Sequence, residues 1–270
     1  MSTLTVNDAG TAVAPRPRRK PDPIPTSRIV KVEFRKMFDT RAGFWLMASI
    51  GILAVLATVA VIAFAPDEAQ TLDTYATAFG FPMAVILPMV AILSVTSEWS
   101  QRSGLTTFTQ VPHRGRVIAA KAFCAVVVGV VSMLVALGIG SLGNLVGTAI
   151  SGAPTTWDLG ASAFANIVLA QVLGMMVGFM LGVLIRNSAG AIVAYFVYSL
   201  LLPTVFGMLA AFQDWFRDLQ PWVDFNYSST RLYDNTMTGE NWAQLGVAGL
   251  IWLVVPLVVG LVMLLRSEVK

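Results

Sequence analysis

The sequence predicts an all-α integral membrane protein: six transmembrane helices behind an N-terminal amphipathic helix lying in the interface. Three observations carry this. Of 270 residues, 56% are apolar and 12% charged, where soluble domains carry about 25% charge. The apolar residues fall in blocks of about twenty, enough to cross a ~30 Å hydrocarbon core. Lysine and arginine are confined almost wholly to alternate connections between those blocks.

Residues 1–25 include RPRRKPDPIP, proline-rich and basic with no apolar periodicity, and are expected to form a disordered cytoplasmic tail. No apolar core follows the basic cluster directly, so a secretory signal is not expected. The tail either fixes topology or touches anionic headgroups. Residues 26–270 then read as one transmembrane domain. Thr26 or Ser27 is placed to cap a helix over 27–40. Val30, Phe34, Met37 and Phe38 fall on one side and Arg28, Lys31 and Arg35 on the other. That pattern suits a helix in the interface plane, the alternative being an extension of the first span.

The spans are expected at about 44–65, 77–96, 117–137, 161–185, 190–211 and 245–265. Pro82 and Pro88 predict a kink in the second. The third run stays apolar to Ile150. One crossing should end near Leu137, with the glycine-rich remainder (Gly138, Gly140, Gly143, Gly147) in or beyond the outer leaflet. Only residues 186–189 separate the fourth and fifth spans, a tight antiparallel hairpin. In the loop before the sixth span, Phe212, Trp215, Phe216 and Leu219 recur at helical spacing until Pro221. This partly helical outer loop either dips into the outer leaflet or lies above an ordinary aromatic belt. With both termini cytoplasmic, all but Arg217 and Arg231 of the 18 basic residues lie inside. Asp67, Glu68, Asp73, Asp214, Asp218 and Asp224 then lie outside.

No catalytic set is evident. His113 has no partner His or Cys, and the single Cys124 excludes an internal disulfide and suggests no thiolate metal site. There is no GxxxxGK[ST] phosphate loop. No nucleic-acid partner is expected. No acid or base stands deep in a span, as ion-coupled carriers usually require, so the energy for any transport should come from elsewhere. Ala170, Gly174, Gly178 and Gly182 form a small-residue ridge for helix packing, within the subunit or across a dimer. Asn144, Asn166, Gln171, Tyr195, Tyr198 and Thr204 either line a path or bond within the bundle.

The most informative stretch is polar: Ser97 to Arg116, SEWSQRSGLTTFTQVPHRGR. It is about twenty residues long, more than a helix-to-helix turn needs. Glu98 and Arg102 are spaced for a helix-surface pair, and Leu105, Phe108 and Val111 for a shared face. Pro112 ends the pattern before the basic HRGR cluster.

The run Glu98, Arg102, Gly104-Leu105, Phe108, Pro112, Arg114, Arg116, Lys121 resembles the first intracellular loop of permease subunits in type-two ABC exporters, especially small actinobacterial ones. The acid frequent after Gly-Thr-Leu is replaced by Thr106 and Thr107. The resemblance implies a plasma-membrane permease without a motor of its own. A second permease copy or homologue would complete a dimer, and separate cytoplasmic ABC ATPase subunits would bind the ATP and Mg that this chain does not. It further implies that a coupling helix comprising Glu98, Trp99, Arg102, Leu105, Phe108, Pro112 and Arg114 meets the ATPase. The uncharged spans suit a hydrophobic or amphipathic export substrate. The competing classes are a self-contained secondary transporter and a non-transporting sensor or anchor.

Overall fold

A computed structural model describes residues 24–39, 41–100, 114–234 and 236–266. Among them the secondary structure is entirely helical. Helix α1 (Thr26–Asp39) begins one residue earlier than capping by Thr26 would allow. Pro25 O accepts the Arg28 N–H at 3.0 Å, and the Thr26 hydroxyl accepts from Arg116 at 2.8 Å instead. Ile29, Glu33 and Met37 face the protein. Phe34 and Phe38 sit 5.1 Å apart on an exposed side with Val32. The apolar side read from the sequence is therefore divided: Met37 turns inward, Phe34 and Phe38 do not.

Helix α2 (Arg41–Phe64) is the first span and α3 (Leu72–Ser100) the second. The latter outruns its apolar stretch, so Ser97, Glu98 and Trp99 end a helix rather than open a loop. It stays helical through Pro82 and Pro88. Helix α4 (Arg114–Ser151) has 38 residues, ~57 Å at the usual rise. It continues as one helix past Leu137. Gly140, Gly143 and Gly147 lie where a Cβ would collide with Tyr75, Phe79, Thr58 or Gln70, so they serve close packing with α2 and α3.

The strand-free connection 152–160 is bound down by side chains. Asn144 donates to Thr156 O at 2.9 Å, and the Asp73 N–H donates to Asp158 at 3.0 Å. Helix α5 (Ala161–Ile185) ends at Arg186, left-handed at φ 56°. Asn187 then caps the next helix through Gly190 N at 2.9 Å. This is the tight hairpin that the spacing predicts.

The last two spans share an interruption. The fifth is α6 (Ser188–Phe196), a π-helical turn at Val197–Leu201, and α7 (Leu202–Phe212). After α8 (Asp214–Val223) and α9 (Phe225–Thr230), the sixth is α10 (Gly239–Gly249), a π-turn at Leu250–Val254, and α11 (Val255–Arg266). Each π-turn stops just short of a proline, Pro203 or Pro256. A proline ring crowds the carbonyl four residues back and gives it no N–H; widening the turn relieves both. Pro221 does not end α8, which runs on to Val223.

Helices α3 and α5 form the centre. Gly178 brings α5 so near that its Cβ would lie 2.8 Å from Pro88 O, and Gly182 packs likewise over Ile92 and Val95. Gly178 and Gly182 of the small-residue ridge thus face α3 of the same chain, whereas Gly174 lies nearest Tyr195 of the fifth span. The fifth and sixth spans are peripheral, with long exposed apolar sides such as Val193, Leu200 and Met208 on one and Val258 and Met263 on the other.

Candidate functional site

The four charges that converge inside the bundle come from three helices. Glu33 is on the inner face of α1, Glu98 in the last turn of α3, Lys121 two turns into α4; Lys36 reaches in from the rim. Lys121 Nζ donates to Glu33, forming a pair in which each side chain is only 4% exposed. It also lies 3.2 Å from Glu98 and donates to Ser94 O at 3.0 Å. Lys36 bridges the two acids, 2.8 Å from Glu33 and 3.3 Å from Glu98. Two carboxylates and two ammonium groups cancel, which is what lets buried charge persist here.

Burial alone would lower the Lys36 pKa, but its bonds and proximity to Glu33 and then Glu98 outweigh that and hold it above the ordinary 10.5. Arg116 extends the tie by donating to Ile24 O at 2.9 Å. One end of α1, the exit of α3 and the start of α4 are thereby fastened together.

Glu98 is therefore turned into the protein. Its Oε2 is buried with no hydrogen-bond partner among the described residues. Trp99 packs partly buried against the main core. Arg102, Leu105, Phe108 and Pro112, with His113, lie outside the described residues, and Arg114 opens α4. Glu33 and Lys36 escape sequence reasoning: an acid on a basic amphipathic helix reads as solvent-facing, and its partner Lys121 is 88 positions away.

A second feature lies toward the opposite end, where Asp73 and Asp158 meet. A cavity of about 410 Å³ opens between α3, α5, the π-turn of the fifth span and α9. Three tyrosines line it, Tyr195, Tyr198 and Tyr233, together with Gln171 and Asn226. Gln171 spans the gap, donating to Gly80 O at 3.0 Å and to the Tyr233 hydroxyl at 3.1 Å. Burial pushes the Tyr233 phenol up to about 12, so it stays protonated.

The Tyr195 hydroxyl donates at 2.7 Å to Ala84 O, the carbonyl that Pro88 leaves without its helical N–H. Trp252, on the second π-turn, stacks near Tyr198 with centroids 5.9 Å apart and donates to Val223 O at 2.6 Å. The first proline-widened turn thus carries Tyr198 in the aromatic wall, and the second supports it through Trp252. Of the polar span residues, Gln171, Tyr195 and Tyr198 reach the cavity. Asn144 bonds the 152–160 connection, and Thr204 bonds Leu200 O at 2.8 Å.

Among the described residues, six apolar helices of bilayer length, with their ionised groups gathered at the helix ends, make this a multi-pass, all-α membrane protein. No protein-family model matches the chain, and no curated protein is significantly similar to it.

Proposed function

We propose that the chain is the permease subunit of an ATP-driven exporter of the type-two ABC class, moving a hydrophobic or amphipathic substrate outward across the plasma membrane. Both termini and the segment between α3 and α4 face the cytoplasm. A second permease forms the dimer, and separate ATPase subunits supply ATP, Mg and hydrolysis. One observation supports this above the others: Glu98, where α3 runs into residues 101–113, is locked through Lys121 and Lys36 to both α4 and α1. A push on that segment would move three helices as one body. In this reading Glu98 positions the coupling segment from inside, while Leu105 and Phe108 supply the contact with the ATPase.

A second reading, a sensor or anchor that borrows an ATPase without transport, shares this mechanical link. The cavity favours transport, since an anchor needs no ligand-sized space within its spans. Purification from native membranes in mild detergent tests the proposal. A phosphate-loop ATPase should copurify with wild-type chain and be depleted with Phe108→Ala. Retention of the ATPase by that variant, or no ATPase at all, would count against it.

A further inference from the structure

The cavity's chemistry narrows what can occupy it. It follows α3 from Asp73 to Val85, ~18 Å at the usual rise, so it descends from the helix end well into the span. A volume of about 410 Å³ is within the range of small-molecule sites. Phe81, Tyr195, Tyr198 and Phe225 give it aromatic walls. Tyr198, Ser199 and Asn226 present side-chain polar atoms that make no hydrogen bond to the described residues. These are groups a ligand can use at little cost, unlike Gln171 and Tyr195, which are already engaged.

The charge is one-sided. Among the described lining residues Asp73 is the only ionised group. It has no ion-pair partner among the described residues, and its backbone N–H is taken by Asp158, a second carboxylate at the same rim. Arg231 is turned away, stacked 5.1 Å over the Tyr227 ring. An anion would meet carboxylates with no compensating base. A neutral ligand would leave Asp73 unused. A cation would gain both Asp73 and the faces of the tyrosines, whose quadrupoles attract positive charge.

We propose that this cavity binds an amphipathic organic monocation, its apolar body among Phe81, Tyr195 and Tyr198 and its charge within reach of Asp73. The assignment rests on the export reading only in making that cation the cargo; occupancy itself needs no ATPase. Two probes of matched shape and opposite charge, tetraphenylphosphonium and tetraphenylborate, test it by equilibrium dialysis against the purified full chain in neutral detergent. Tyr198→Ala serves as the background for uptake into the micelle.

The saturable component, wild type minus Tyr198→Ala, should favour the phosphonium by about tenfold. Asp73→Asn should remove most of that preference. Equal or tighter borate binding, an Asp73→Asn variant with unchanged preference, or no saturable phosphonium binding would each overturn the proposal. Binding without a copurifying ATPase would retain the cavity assignment and sink the export reading; an ATPase without binding would do the reverse.

Discussion

Glu98 and Lys121 stand 3.2 Å apart in a setting that leaves them only 3% and 4% exposed. They join the exit of one span to the start of the next, across a segment of the chain far richer in polar residues than either. Because Glu33 shares the same lysine, the cation at the centre serves two acids on two helices.

Replacing that cation is the most damaging single change to the cluster. Lys121→Met leaves Glu33 and Glu98 buried with only the half-exposed Lys36 between them, and should cost about 3–5 kcal/mol. Thermal unfolding in detergent measures it. Adding Glu33→Gln removes one stranded charge and should recover a large part of the loss. A double variant no more stable than the single one would show that the acids are not the source of the cost.

The pH dependence follows from Lys36. Its pKa is raised above 10.5 in the folded chain, so its contribution is fully present below the unfolded value and fades as pH climbs through the folded one. The stability difference between wild type and Lys36→Met should therefore be flat from neutral pH to about 9.5 and shrink above about 10.5. Because the lysine is half-exposed, the plateau should be modest, about 1 kcal/mol.

Glycines in the fourth span should differ sharply in tolerance. At Gly178 an added Cβ would sit 2.8–2.9 Å from the Pro88 carbonyl oxygen and Cα, backbone that cannot swing aside. Gly178→Ala should lose about 1–3 kcal/mol. At Gly174 the nearest atom would be the Tyr195 hydroxyl at 3.9 Å, so Gly174→Ala should unfold at or above the wild-type temperature, since alanine is the better helix former.

The Tyr195 hydroxyl and Pro88 form a testable pair. Tyr195→Phe strips the Ala84 carbonyl of its donor, an expected loss of about 1–3 kcal/mol. In a Pro88→Ala background residue 88 regains an N–H for that carbonyl, and the same substitution should cost less. A double-mutant cycle in thermal unfolding reads the coupling directly; additive losses would mean that the hydroxyl does not stand in for the missing N–H.

The spans were legible because apolar runs long enough to cross a bilayer seldom occur in water-soluble chains. The hairpin at 186–189 was legible because Asn187 and its short spacing leave no room for anything else. The long α4 was not. Its glycine-rich stretch reads as a remainder in or beyond the outer leaflet, whereas Gly143 and Gly147 admit Thr58, Tyr75 and Gln70 against the helix. Glu33 was opaque for a related reason: only the fold reveals that Lys121 waits opposite. Equally out of reach was the packing of Trp252, on the π-turn before Pro256, against Tyr198, on the one before Pro203. Each miss concerns a contact between residues distant in sequence, which periodicity along one helix does not encode.

The central claim is that the molecule is a gate driven from outside itself. Transport in proteoliposomes decides it, comparing the purified chain alone with the chain joined by its copurified ATPase and ATP. The account predicts movement of an amphipathic cation only in the second case, abolished by Phe108→Ala. Solute movement by the isolated chain down an imposed ion gradient would contradict it.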